Sequence, residues 1–377
     1  MRRSSRPLLF IPVEEPHPRS KWWRIIREKR FYDNLMISVT SIERYFSNPR
    51  EFKQVILQND NLKLYLDSGG YTERTGLSIN LKLNKNLYGY LRRKCMTVLK
   101  FAKECSAHAF FSYDIPITNN TPPSAYKKIQ RLNEMAARFM LDKKPPNTKL
   151  FAVVHGWDFN SILSVAERFK DLSFDGLAVP SPISHPSSIK KKIEFACAVA
   201  SVADDLEIHY LGAAGIIDLY IIALLGINSC DSKAYSDHAR FRKYIIPQTG
   251  QRIAIGFDNK TEKRFRLKRL PCMCPACYQA KIFVYSHGLK YESDFYARKG
   301  SEAGAMLSLH NLYTLFNELN FINEAMHSRE LFRKLLMNRM KVNPLLRTAL
   351  KILVALCEEK KKLKSRVIFF NLLKNMV

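Results

Sequence analysis

From about residue 34 to residue 235 the chain repeats one pattern. A short run of β-branched and aromatic residues ends in a polar or small residue, and a longer stretch with helical period follows. The runs are "NLMISVTS", "LKLYLD", "HAFFSYD", "KLFAVVHG", "FDGLAVPS", "EIHYLGA" and "GINSCDS". Each is apolar throughout rather than alternating, as strands are when a parallel sheet is covered on both faces. Repeated β-α order leaves two architectures, a doubly wound layer or a barrel. No GxGxxG loop follows the first run, and nearly every run stops at polar or small residues, among them Asp67, Asp114, His155 and Asp231. In a barrel all such ends converge on one mouth, so the expectation is an α/β fold, a (β/α)8 TIM barrel, with seven of its eight strands visible.

The segments around the barrel divide by composition. The expected organisation is a basic N-terminal segment over 1–33, a barrel core over 34–260, a zinc-binding subdomain over 261–325 and basic C-terminal helices over 326–377, with a helix break at Pro344. Of the eight cysteines, five are isolated in apolar or mixed segments, which is the usage of a reducing compartment. The run "PLLFIPV" is short, lacks a cleavage site and leads straight into Glu14 and Glu15. The longest apolar stretch, "IIDLYIIALLGI", is too short to span a bilayer and contains Asp218. A cytoplasmic protein without membrane attachment is expected.

Charge then narrows the partner. Sixty-one Lys+Arg against 34 Asp+Glu leave a formal +27, concentrated in "MRRSSR", in "KTEKRFRLKRL" and in residues 329–377. One basic run reads equally well as a solvated face; three separate ones point to a polyphosphate, hence nucleic acid.

The stretch "LPCMCPACYQ" places Cys272, Cys274 and Cys277 within six residues. Three thiolates so close repel one another unless a soft cation neutralises them, and such a turn is how a tetrahedral zinc site begins. The fourth ligand is His287 or His310. A lone histidine on a helix is ordinarily a packed core residue, but three waiting thiolates favour His310. Four protein ligands leave no open position, so one structural Zn2+ per chain is expected.

Together these residues resemble the tRNA-guanine transglycosylase family. "DSGGY" (67–71), "GLAV" (176–179), "HYLGAAGIIDL" (209–219), "CDSKAYSDHAR" (230–240) and the cysteine knuckle followed by His310 and Asn311 stand in the family's order and at about its spacings. The resemblance covers roughly residues 34–320. It implies exchange of a guanine within a polynucleotide for a free 7-deazaguanine such as preQ0, through a covalent aspartyl intermediate, by logic parallel to a retaining glycosidase. It assigns Asp231 as nucleophile and Asp67 as general acid/base. Base contacts fall to Asp114, His155, the Gly176–Leu177 backbone, and Tyr71 and Leu211 as the two faces of a sandwich. His155-Gly156-Trp157 replaces the family's Gln-Gly-Gly, Asp175-Gly176 its double glycine, and Thr72 a glutamine, so contacts to the base and the polynucleotide are where this chain departs. Arg240 and Arg242 are candidates for flanking phosphates or for ion pairs.

The branch that inserts 7-deazaguanine into DNA is the one this chain most resembles, which makes DNA the expected substrate and other DNA-modification proteins further candidate partners; tRNA is the alternative. Family members that keep the fold and lose the chemistry provide a third reading, a non-catalytic nucleic-acid-binding subunit, against which the presence of both Asp67 and Asp231 argues.

Overall fold

The apolar runs do become strands. The computed structural model describes residues 7–15, 17, 21–57, 61–70, 87–117, 121–180, 189–203, 205–213, 215–256, 264–298, 300–360 and 363–377. Its main sheet contains β1 (Leu9–Pro12), β2 (Asn34–Ser38), β3 (Lys63–Asp67), β4 (Ala109–Phe111), β5 (Lys149–Val153), β6 (Gly176–Val179), β7 (Glu207–Tyr210) and β8 (Ser229–Ser232). Seven are the expected strands, though the first stops at Ser38, where the helix Val39–Tyr45 begins. The eighth is β1, formed by the "PLLFIPV" run inside the basic N-terminal segment.

Neighbouring strands pair in parallel from β2 round to β8, and β1 pairs with β8. An isolated bridge between Val13 and Met36, with the Glu14 amide donating to the Met36 carbonyl at 3.1 Å, closes the ring. Following the register once around from Glu15, through Ser38 and Asp67 and past Phe151, Gly176 and Glu207, returns to the first strand at Pro7. That offset of eight positions is the shear of a TIM barrel.

Alternation on each strand explains the unbroken apolar runs. Ile11, Met36, Tyr65, Phe111, Phe151, Val153 and Ala178 fill the barrel interior as one cluster. Their neighbours Phe10, Ile37, Leu66, Phe110, Leu150 and Leu177 face outward into the larger cluster shared with the helices. Burying either set stabilises by about 1.5–3 kcal/mol per large side chain. The helices Tyr126–Asp142, Phe159–Lys170, Ile189–Ala200 and Ile216–Leu224 supply the outer ring, the second of them started by a capping box between Asp158 and Ser161.

Beyond the barrel, the hairpin of β9 (Lys243–Ile245) and β10 (Arg252–Ala254), the helix Pro275–Ser286 and the start of the helix Ser301–Ala325 enclose a second core that includes Tyr244, Ile255, Cys277, Ala280, Tyr296 and Leu307. The helices Arg329–Val342, Pro344–Glu359 and Phe370–Lys374 then fold back: Leu336, Leu346, Leu350 and Leu353 are fully buried in the barrel's own outer cluster. A buried ion pair fixes this return. Arg339 donates to both oxygens of Glu318 at 2.6 and 2.9 Å, and the Tyr220 hydroxyl donates to the same carboxylate at 2.6 Å. Among the described residues no helix is long and apolar enough to cross a membrane.

Removing one partner of that pair strands the other. Glu318→Leu is expected to cost about 3–5 kcal/mol in urea unfolding, and adding Arg339→Met should recover most of it. A single variant with an unchanged unfolding midpoint would mean that the pair does not hold the C-terminal helices.

Candidate active site

Asp67 ends β3 two positions after Tyr65, so strand alternation turns it inward. Its carboxylate accepts the Gly69 amide at 3.2 Å and the Ser38 hydroxyl. Burial, followed by the nearby charges of Asp114 and Asp231, pushes its pKa up to about 7. The turn after it needs its glycines. Gly69 has φ +81°, and a side chain at Gly70 would place a Cβ 2.2 Å from the Asp114 carbonyl oxygen. Only a chain without Cβ at position 70 lets the β3 and β4 ends lie this close.

Asp114 follows β4. Its Oδ1 accepts the Ser68 hydroxyl at 3.0 Å, and its Oδ2 lies 2.6 Å from Nε2 of His155, which follows β5 and is 5% exposed. Asp231, on β8, is 6% exposed. Its Oδ1 accepts from His209 Nε2 and from the Gly212 amide, each at 3.0 Å. Groups from six strands, β2, β3, β4, β5, β7 and β8, thus converge, and both Asp114 and Asp231 act electrostatically on Asp67. The arrangement lets Asp67 hold a proton near neutrality beside two further carboxyls, as acid–base chemistry requires.

The other expected residues distribute unevenly. Leu211, just beyond β7, is partly buried against the interior cluster beside these carboxylates. Gly176 and Leu177 are the first two residues of β6. At Gly176 the Phe151 ring occupies the space a Cβ would take, and the Leu177 side chain faces the helices. β6 ends at Val179. Tyr71 and Thr72 lie outside the described residues. Arg240 is exposed at the end of the helix Ala234–Arg240, within electrostatic reach of Glu15. Arg242 donates to the Arg298 carbonyl at 2.8 Å, tying the region after β8 to the second core. The sequence pattern did not single out His209, Ser68 or Ser38. The signal for His209 was there, since a histidine interrupts an otherwise apolar strand at an inward position.

The cysteine knuckle and the long helix meet. The ligand atoms of Cys272, Cys274, Cys277 and His310 all lie within 4.8 Å of one another. His310 Nδ1 faces the Cys277 and Cys274 sulfurs at 3.3 and 3.5 Å, while its Nε2 donates to the Ile245 carbonyl at 2.9 Å, which leaves Nδ1 as the ligand atom. Amides of Cys274 and Cys277 donate to the sulfurs of Cys272 and Cys274. Tyr244 stacks on the imidazole with centroids 3.9 Å apart, and the Tyr296 hydroxyl donates to the Cys277 sulfur at 3.4 Å. Three sulfurs and one nitrogen, oriented by second partners and buried except for the half-buried Cys272, suit a tetrahedral cation such as zinc. His287 is exposed and bonds to Phe283 and Ser286 instead.

A TIM barrel with carboxylates at its mouth and a closed Cys3His cluster beside it defines a class, and comparison with known proteins agrees with it. The sequence profile of the queuine tRNA-ribosyltransferase (TGT) family matches residues 58–342, and the chain belongs to that family. It is 24% identical over 277 residues to a tRNA-guanine(15) transglycosylase of Methanosarcina mazei, covering 71% of this chain and 50% of that protein. A Haloferax volcanii protein of the same name is 24% identical over 253 residues (65% and 44%), and one from Methanococcus aeolicus 20% over 352 residues (89% and 48%). The chain spans half or less of the length of these relatives.

The raised pKa of Asp67 has a thermodynamic consequence. The folded carboxyl titrates near 7 and the unfolded one near 3.8, so the folded chain retains a proton in between. The resulting stabilisation is fully present below the unfolded value and is lost as pH rises through about 7. Asp67→Asn should therefore be more stable than wild type at pH 8 by about 1–3 kcal/mol, and the gap should close by pH 4. Parallel thermal melts of the two proteins across that range check this; a constant gap would contradict it.

Proposed function

We propose that this chain is a guanine transglycosylase that exchanges a guanine within a nucleic acid for a free 7-deazaguanine. The observation that carries the reading is the meeting of Asp67, Asp114 and Asp231 at the barrel mouth, with Asp67 holding a proton near neutrality. Asp231 attacks C1′ of the target nucleotide as the bond to the guanine nitrogen breaks, and Asp67 supplies the proton the departing base needs. In the second half the glycosidic nitrogen of the incoming base gives its proton to Asp67 and bonds to C1′, and the Asp231 carboxylate is released. Asp114, held by Ser68 and His155, accepts N–H groups of the base, while Leu211 and Tyr71 cover its faces. The backbone of Gly176 and Leu177 reads the far edge of the base.

Family membership supports the reaction class, and the relatives' names support tRNA as the polynucleotide. The +27 charge serves DNA equally, and DNA is kept as the second reading. A duplex would require the target base to be flipped out, with the unstacking offset by phosphate contacts from basic residues such as Arg240. The cation of the Cys3His cluster is Zn2+, with a structural role: four protein ligands fill its coordination shell.

Incubation with labelled guanine on tRNA and on duplex DNA in parallel tests both parts. Incorporation into one polymer, with a covalent adduct that Asp231→Asn abolishes, is expected; an adduct that survives this substitution names another nucleophile. Single-turnover guanine release should fall as pH rises above about 7 and Asp67 loses its proton. A flat profile from pH 6 to 9 would remove Asp67 as the acid.

Metal analysis should find one zinc per chain. Cys274→Ser should lose it together with several degrees of thermal stability, and full stability without metal would refute the structural role.

A further inference from the structure

His209 stands inside the barrel with no role in the scheme above. It is fully buried, its ring lying 4.8 Å from that of Phe111 and 6.2 Å from that of Phe151. Both nitrogens are engaged: Nε2 is 3.0 Å from Asp231 Oδ1 and Nδ1 is 2.8 Å from Ser229 Oγ. An ionised carboxylate only accepts, so the proton belongs on Nε2, and the Ser229 hydroxyl, donating to Nδ1, locks that tautomer. The Gly212 amide donates to the same oxygen, Oδ1, at 3.0 Å. Among the described residues no donor reaches Oδ2.

We infer that His209 is a positioning residue that makes the two oxygens of Asp231 unequal: Oδ1, held by two N–H donors, becomes the carbonyl oxygen of the aspartyl ester, and Oδ2 is the atom that bonds to C1′. The inference rests on the covalent reading proposed above. Its chemistry is directional. Donors on Oδ1 restrain attack to the bare oxygen. When the incoming base displaces the ester, negative charge returns to a carboxylate whose donors are already in place, so its expulsion is favoured without reorganisation. A merely packed side chain between Phe111 and Phe151 would need no nitrogen, and a phenylalanine would fill the same space without requiring Ser229.

The test compares His209→Phe, which keeps a ring and removes both nitrogens, with His209→Gln, which restores a donor, and with Ser229→Ala, which releases the tautomer. In His209→Phe, kcat for exchange and the decay of the isolated adduct on adding free base should both fall roughly 10- to 100-fold, the loss expected for a hydrogen bond to a charged group. KM for the nucleic acid should stay within about twofold. His209→Gln should recover most of the rate, and Ser229→Ala, which disturbs the fold least, should lose about three- to tenfold in adduct decay. Adduct decay within twofold of wild type in a folded His209→Phe or Ser229→Ala protein would overturn the inference while leaving the covalent reading intact. Absence of any Asp231-dependent adduct in the wild type would instead overturn the covalent reading and the ester assignment with it. Nitrogen-15 shifts of the His209 ring separate the geometry from both: a proton on Nε2 whose resonance moves in Asp231→Asn is expected, and an unprotonated Nε2 would overturn the positioning role.

Discussion

Leu9 to Pro12 lie parallel to Ser229 to Ser232, with Ile11 opposite Asp231, and this short pairing places beside β8 the strand whose bridge to Met36 closes the barrel. Without it β8 would be an edge strand, its backbone open to water and its aspartate solvated. With it, the Val13 amide donates to the Ser232 carbonyl, and the Tyr235 hydroxyl reaches both Val13 and the buried Glu14, whose pKa burial raises to about 7. Asn323 of the long helix bonds both the amide and the carbonyl of Leu8, so the strand is held from behind as well. Four residues of β-strand therefore determine whether Asp231 faces a protein interior or solvent.

Closure creates the electrostatic problem that the site exploits. Three aspartates, from the ends of β3 and β4 and from β8, share one poorly hydrated mouth, where like charges interact more strongly than in water. The chain treats them differently. Asp231 receives two N–H donors on one oxygen, and Asp114 a hydroxyl and an imidazole. Asp67 receives one amide and one hydroxyl but also burial and both neighbours' charges, and it is the carboxyl pushed up to about 7. The different environments of these identical side chains thus follow from strand register, which decides whose neighbours are donors and whose are anions.

The same register explains what could be read from the sequence. Seven strands, the inward aspartates at their ends and the Cys3His set were legible because each leaves a local mark: an apolar run, a terminal polar residue, a thiol spacing. The first strand was not, since "LFIP" is short and stands alone in a basic segment. Depth was not legible either. Gly176 and Leu177 belong to a strand with the right apolar character, but their distance from the mouth depends on the stagger of the whole ring, which no single run contains. His209 and Ser229 pair across two strands separated by a helix, and such partners become visible only when the register is known.

The cation cluster bears on the barrel through one residue. His310 belongs to the Cys3His cluster, and its neighbour Asn311, fully buried, donates to the carbonyls of Tyr235 and Lys243 and accepts the Ile245 amide. Tyr235 belongs to the helix that begins two residues after β8, and its hydroxyl meets Glu14 at the closing strand. A rotation of the long helix that moved His310 off the sulfurs would pull the same turn's amide away from these three backbone groups, each buried and costly to leave unpaired. A cation held by the cluster would therefore act on the β8 strand mechanically, by fixing the helix that holds the backbone immediately after it.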